Sequence, residues 1–324
     1  MRKSIILVML ASCLIGIGTA VAQNYPNRPI TMVIPFAAGG PTDVLGRAVG
    51  ARLTEILGQT VVIENVGGGG GMVGSQRVAQ AAPDGYTIGL GTVGTHAQNQ
   101  TLYKRPLYHA ANDFTPVVLM AELPIVLIAR KDFPANNLKE FVAYAKANAD
   151  KMTFASAGPG VPHHLFMELF KGMTGMKASH VPYRGSLPAL NDLVAGHIPM
   201  MFSDLGPATG LIEGKRVRVL GISTRTRHPS FPDIAPLAEV GVPGYEAVSW
   251  QAIAAPAQTP KPVLDKLNAE ITAVLAMPEV KEQILKYGFL PLQNRSVDEL
   301  KSFVKSEIVR WGKVVSDAGI AGSQ

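Results

Sequence analysis

The stretch VIPFAAGGPTDVLGRAVGARL, Val33 to Leu53, joins an apolar strand to an amphipathic helix through a bare glycine turn. Val33 to Phe36 reads as the end of a buried strand, Gly39 and Gly40 as the turn, and the residues from Thr42 onward as a helix. No lysine and no member of a catalytic triad stands beside the glycines. Such a joint has two uses. It turns the backbone tightly, and it leaves N–H groups at a helix N-terminus, where an anion is favoured.

The same pattern recurs on both sides. TVVIEN from Thr60 reads as a second strand, Gly67 to Gly71 as an all-glycine turn, and Met72 to Ala82 as a helix. A PDG turn then opens the strand YTIGLGT. This βαβαβ order predicts a mostly parallel sheet with helices on both faces. A second set begins at Pro124. It continues with a helix from Leu138 to Ala149 capped by Asn137, strands at 152–156, 177–181, 198–203 and 217–223, and helices to Lys171 and over 187–195. After Pro243 come a strand from Trp250 and three helices. The last is opened by a capping box of Ser296 and Glu299. That helical segment needs a sheet to pack on. The expected architecture is therefore a two-lobed α/β protein, each lobe a parallel-type sheet flanked by helices. Domain I covers 23–122 and 246–324, and domain II covers 123–245. Crossings near Leu119–Pro124 and Gly241–Glu246 make a hinge and leave a cleft.

Composition narrows the class. Arg2 and Lys3, the apolar run Ile5–Val21 and the small residues Ala20-Val21-Ala22 predict a secretory signal peptide over 1–22. Leu10-Ala11-Ser12-Cys13 has a lipobox-like order, but the apolar run continues past Cys13. Cleavage after Ala22 leaves 302 of 324 residues, removes the only cysteine and lowers the formal charge from +6 to +4. The mature chain then has no disulfide and no thiolate, and a core of this size alone must hold it. The longest later apolar run, VVLMAELPIVLIA from Val117, is broken by Glu122 and Pro124, which argues against a membrane span. The basic residues are scattered, so nucleic acid is not an expected partner.

Four glycine-rich joints each follow an expected strand and precede an expected helix: AAGGPTD, NVGGGGGMVG, SAGPGVPHH and PYRGSLPAL. In an open α/β sheet ligands bind outside the carboxyl ends of the strands. All four turns are expected there, two per domain, with backbone N–H groups aimed at an anion. Other chemistries fit poorly. Gly69, Gly71 and Gly74 match a dinucleotide spacing, but inside a glycine run where such matches come cheaply. No Gly-Lys-Ser/Thr follows Gly71. Ser156 lacks the first glycine of a nucleophile elbow, because Phe154 stands there. His163 and His164 lack zinc spacing and are expected at a helix start, one inward and one solvated. Asp43, Asp204 and His96 have no spacing that supports a triad.

PFAAGGPTD, VVIENVGGGGGMVG, AAPDGYT, FASAGPG, HVPYRGSLPALNDLVAGHI and the PGYE at 243–246 together resemble the Bug family, the extracytoplasmic substrate-binding proteins of tripartite tricarboxylate transporters. The motifs occur in the family's order and span essentially the whole mature chain. The resemblance implies a Venus-flytrap, type II-like periplasmic binding protein for a small organic carboxylate. It implies that one carboxylate is held by the turns Ala38, Gly39, Gly40, Thr42, Asp43 and Gly68, Gly69, Gly70. It places Ser156, Gly158, Tyr183 and Arg184 at the other end of the ligand, Asp204 nearby, and Thr92, Thr95, His96 and Asn99 at the cleft. Gly67 and Gly69 stand where the family often has proline and alanine, which predicts a looser loop. Gln100 stands where proline often follows Asn99.

On residue chemistry, Arg184 is the one full positive charge within the four turns and can hold a carboxylate bidentately. Asp43 suits a first helical turn whatever it faces. Asp204 would repel an anion and select an amine or hydroxyl instead. The expected protein is a monomeric periplasmic solute receptor that delivers its ligand to permease subunits, with no catalysis, metal or cofactor. The competing readings are a secreted α/β hydrolase using Ser156 and a ligand-presenting sensor component.

Overall fold

A computed structural model describes residues 25–293 and 295–324. The expected signal peptide, with Cys13, lies outside the described residues. The first lobe is built on β1 (Ile30–Ile34), β2 (Val61–Asn65) and β3 (Thr87–Thr92), joined by helices α1 (Pro41–Leu57) and α2 (Met72–Ala79). β1 pairs in parallel with both β2 and β3. Helix α1 begins with Pro41 just inside its start and ends at Gly58 in the left-handed region, the end signals visible in the sequence. Asn99–Leu102 forms the short helix α3 beyond a π-helical turn at Gly94–Gln98.

The sheets are mixed rather than parallel. β4 (Phe114–Leu123) is a ten-residue strand, visible in the sequence only as an interrupted apolar run. Pro124 alone separates it from β5 (Ile125–Arg130), which belongs to the second sheet. The proline thus marks the passage between lobes, where a ladder N–H is not needed. In the second lobe come α4 (Leu138–Ala147), β6 (Thr153–Ser156), α5 (Pro162–Thr174), β7 (Ser179–Pro182), α6 (Ser186–Val194), β8 (Met200–Asp204), α7 (Leu205–Glu213), β9 (Val217–Ile222) and α8 (Leu237–Val240). β6 runs parallel to β7 and β8, while β5 lies antiparallel between β8 and β9.

The chain returns through Ala247, whose N–H donates to the Ser223 carbonyl at 2.9 Å. It re-enters the first sheet as β10 (Ser249–Pro256), antiparallel to both β3 and β4. Ser249 pairs with Leu123, so the two passages run side by side. Helices α9 (Lys261–Ala276) and α10 (Pro278–Lys286), the edge strand β11 (Leu290–Pro291) and helix α11 (Val297–Asp317) complete the chain. The strand orders are β11-β4-β10-β3-β1-β2 and β7-β6-β8-β5-β9. The capping box of Ser296 and Glu299 opens α11 as read from the sequence.

α11 holds more than one lobe. Trp311 is fully buried and stacks on Phe166 of α5, with ring centroids 5.2 Å apart. Its Nε1 donates to Glu307 Oε2 at 3.1 Å, and Trp250 Nε1 of β10 donates to the same oxygen at 2.9 Å. One apolar cluster runs without a break from Val93 and Leu102 in the first lobe to Phe154, Phe166 and Phe202 in the second. Truncating Trp311 leaves a large cavity and strips the buried Glu307 of a donor. Trp311→Ala is expected to lower unfolding free energy by about 3–5 kcal/mol, measured by urea denaturation. A loss under 1 kcal/mol would show that α11 does not carry the junction.

Candidate functional site

Between the lobes lies a cavity of about 610 Å³. Three of the four glycine turns wall it. The first lobe contributes Phe36 to Thr42, with Thr92 from β3 and Ser249 and Gln251 from β10. The second contributes Ala157 and Val161–His163, the run Arg184–Pro188, and Asp204 with Pro207. The N-terminal ends of α1, α5, α6 and α7 therefore converge on one space, each bringing backbone N–H groups without intrahelical partners. A separate hollow of about 570 Å³ between Pro106–His109 and Ile308 is reached by none of the turns.

The first turn is pinned from behind. Gly39 has φ +83, a conformation that favours glycine, and its N–H donates to Asp43 Oδ2 at 2.8 Å. The same carboxylate accepts from Arg47 Nε at 2.9 Å and from Asn65 Nδ2 at 2.9 Å. Burial alone would raise the Asp43 carboxyl, but Arg47, the Gly39 N–H and Asn65 together hold it below the usual carboxylate range. Asp43 is thus a staple turned away from the cavity wall. Gly40 caps α1 with an ordinary φ of −76, and Thr42 Oγ1 donates to Gln251 Oε1 at 3.1 Å. The Gly39 N–H is already used by Asp43, so Gly40 and Thr42 are the amides at the cavity edge that remain for a ligand.

The second lobe supplies the charged side chains. His163, Arg184 and Asp204 are the titratable groups in the cavity wall among the described residues. Arg184 is exposed, and no hydrogen-bond or ion-pair partner is found for it among the described residues. Asp204 is buried; its Oδ2 accepts from Ser186 Oγ at 3.1 Å, and its Oδ1 lies 3.2 Å from His163 Nε2. The alignment of that last contact falls short of a hydrogen bond, and neither ring nitrogen of His163 has a hydrogen-bond partner among the described residues. Burial pushes the Asp204 carboxyl up, but His163 and the Ser186 hydroxyl outweigh it, and the acid stays ionised.

Ala38, Gly39, Gly40, Thr42, Thr92, Arg184 and Asp204 thus meet at the cavity. The others lie elsewhere, each for a visible reason. Gly68, Gly69 and Gly70 sit beside the first turn but outside the wall. Their φ angles are +128, +53 and +60, followed by +88 at Gly71, so the run is demanded by its path rather than merely loose. Asn99 Nδ2 ties it down through the Gly70 carbonyl at 3.0 Å. Thr95 and His96 are buried beneath the first lobe. His96 packs on Phe114 with ring centroids 4.6 Å apart, and burial pushes its imidazole down to about 4. Ser156 is fully buried, its hydroxyl donating to the Gly158 carbonyl at 2.8 Å. It also lies 2.6 Å from His180 Nε2, but a nucleophile needs access that this position lacks. Tyr183 donates to Asp192 Oδ2 at 2.6 Å instead of walling the cleft.

Sequence reasoning missed His163, Ser186, Ser249 and Gln251. His163 and His164 are both buried, so the expected solvated partner of the pair does not exist. His164 stacks on His180 at 3.8 Å and accepts from the Gly160 N–H, while His163 enters the cavity wall. A signal for Ser249 and Gln251 was present: they alternate on one face of an otherwise apolar strand.

Comparison with known proteins follows the same geometry. The family model described as the tripartite tricarboxylate transporter family receptor matches residues 45–320. The periplasmic binding protein BugD is 38% identical in its solved structure, covering 92% of this chain and 99% of its own, with a TM-score of 0.82. An R. palustris protein solved with adipate is 37% identical, covering 92% and 99%, with a TM-score of 0.84. MatC from Rhodopseudomonas palustris, solved with bound malate, is 36% identical, covering 90% and 100%, with a TM-score of 0.81.

Removing the Asp43 carboxylate leaves the Gly39 amide and Asn65 without their acceptor. Asp43→Ala is expected to cost about 1–3 kcal/mol at neutral pH. A depressed carboxyl stabilises the fold above the ordinary carboxylate range and loses that effect as pH falls through its folded value. The deficit of the variant should therefore shrink in urea melts near pH ~3. A deficit that stays constant with pH would deny the staple its charge.

Proposed function

From the premise that this chain belongs to the tripartite tricarboxylate transporter receptor family, we propose that its cavity closes over one small organic carboxylate and presents it to permease subunits. The observation that carries the reading is the convergence of α1, α5, α6 and α7 N-termini on one cavity whose wall also includes Arg184, without a partner among the described residues. The adipate and malate bound to the two R. palustris relatives support an acid as the ligand. Phe36, Leu123, Val161, Leu187 and Pro207 give the cavity apolar walls, which suit a ligand with a hydrocarbon body between polar ends.

The mechanism needs no chemistry on the ligand. One carboxylate lies against the Gly40–Thr42 amides in the first lobe, with the α1 dipole adding about 0.3–1 kcal/mol. The far end of the ligand meets the second lobe, and contact with both favours the closed arrangement. The side-by-side passages at Leu123–Ile125 and Ala247–Ser249 are the hinge. Secretion by a cleavable peptide over 1–22, residence in the periplasm and a monomeric state belong to the same proposal. Among the described residues no helix is long and apolar enough to cross a membrane.

A thermal-shift screen of the purified protein against carboxylic acids tests the reading. Binding to the folded state raises the melting temperature by mass action. Gly40→Val places a side chain at the cavity edge, where a Cβ would meet only the Ala37 carbonyl at 3.6 Å. The variant should fold with a wild-type melting temperature and lose affinity by roughly tenfold or more. Unchanged affinity would remove the first turn from the site, and ester turnover abolished by Ser156→Ala would favour a hydrolase.

A further inference from the structure

The third glycine turn enters the cavity wall at Ala157 and passes into α5 through Val161 and Pro162. Gly158 and Gly160 have φ +141 and +71, and a Cβ on Gly160 would overlap Leu102 of the first lobe. The turn therefore needs glycine for its path and meets the opposite lobe at Gly160. Behind it, the Gly160 N–H donates to His164 Nδ1 at 3.2 Å. His164 is buried and stacks on His180, with ring centroids 3.8 Å apart and planes 9° apart. His180 in turn stacks on Phe154 at 4.9 Å, and its Nε2 lies 2.6 Å from Ser156 Oγ. A column of three rings from β6, β7 and α5 thus stands behind the turn.

His164 is the third residue of α5, the place from which a Glu or Gln side chain often reaches back to an amide ahead of a helix. A histidine can accept there only while Nδ1 carries no proton. Resting on the carboxylate reading of the cavity, we infer that His164 is a positioning residue whose neutral ring holds the Gly160 amide and so sets the third turn for the ligand. A glutamate would hold the same amide but would bring a negative charge to the helix N-terminus beside an anion site. The surroundings keep the ring neutral. Burial, His180 and Lys171 push the His164 imidazole down to about 3, and burial and Lys171 push His180 down to about 4. Glu168 lies 3.8 Å from His164 Nε2 and would favour a charged ring, but Lys171 engages it at 2.7 Å. β6 presents Phe154 and Ser156 to the column, and the first lobe presents Asn99 and Leu102 to Gly160; none of these is charged.

Two substitutions separate the acceptor from the ring. His164→Phe keeps an aromatic ring in the column and removes the acceptor. His164→Gln removes the ring and offers an acceptor that does not titrate. Calorimetric titration with adipate and with malate, and amide hydrogen exchange at Gly160, read both. His164→Phe should weaken binding of whichever acid the wild-type protein takes by roughly tenfold and speed Gly160 exchange by roughly the same factor. His164→Gln should bring both back to within about threefold of wild type. The ratio of wild-type to Gln affinity should stay constant from about pH 8 to about pH 5, because the ring is neutral throughout. A ring that serves packing alone predicts the reverse order, with Phe tolerated and Gln impaired. That order would overturn the inference, as would a ratio that changes with a midpoint near pH ~6.5. Should His164→Phe fail to fold, the Gln variant and its pH ratio decide by themselves. A wild-type protein that binds neither acid would count against the carboxylate reading instead, and Gly160 exchange in the variants would still decide whether Nδ1 holds the turn.

Discussion

A helix cannot satisfy its first N–H groups from within, so every strand–turn–helix joint leaves donors at the carboxyl end of its strand. Both lobes turn those ends toward one gap, and the rest of the site follows from that constraint. A helix terminus contributes about 0.3–1 kcal/mol toward an anion, whereas immobilising a ligand costs about 4 kcal/mol or more. Four dipoles therefore bias the gap without filling it. In the proposed complex, direct bonds from Gly40 and Thr42, the guanidinium of Arg184 and apolar contact with Phe36 and Leu187 would supply the difference.

Two acids stand close to the converging helix ends, and both are engaged by neighbouring groups. Asp43 pairs with Arg47 and takes the Gly39 amide, which shapes the turn and leaves the next amides free of it. Asp204 faces His163 and Ser186. The expectation that Asp204 repels an anion was drawn from its position alone, without sight of these partners. In this fold an acid near the cleft is read by what it already holds.

The α/β order and the turns were legible because hydrophobic periodicity and glycine punctuation are local signals. Strand direction is not local. Nothing in SWQAIAAP states that β10 runs antiparallel between β3 and β4, so the sheets read as parallel and Gln251 stayed unseen at the cleft. β4 was hidden for the opposite reason: Pro124 splits one apolar run into strands of two different sheets. The glycine run looked like looseness because sequence shows the absence of side chains and not the four left-handed residues that require it. His163 and His164 are neighbours with the same residue type, and only the packing of α5 sends one to the cavity and the other to His180.

Glu307 gives the molecule a property unrelated to its ligand. The chain has two tryptophans, and both donate to one oxygen of this buried acid, Trp250 from the strand that re-enters the first sheet and Trp311 from the helix stacked on α5. Indole emission is sensitive to a nearby negative charge, and here that charge sits where the lobes are joined. Both indole–Glu307 bonds lie within the first lobe, and the stack of Trp311 on Phe166 is the contact that reaches into the second. Trp311 is thus a built-in optical probe of the seam between the lobes, placed apart from the residues that line the cavity.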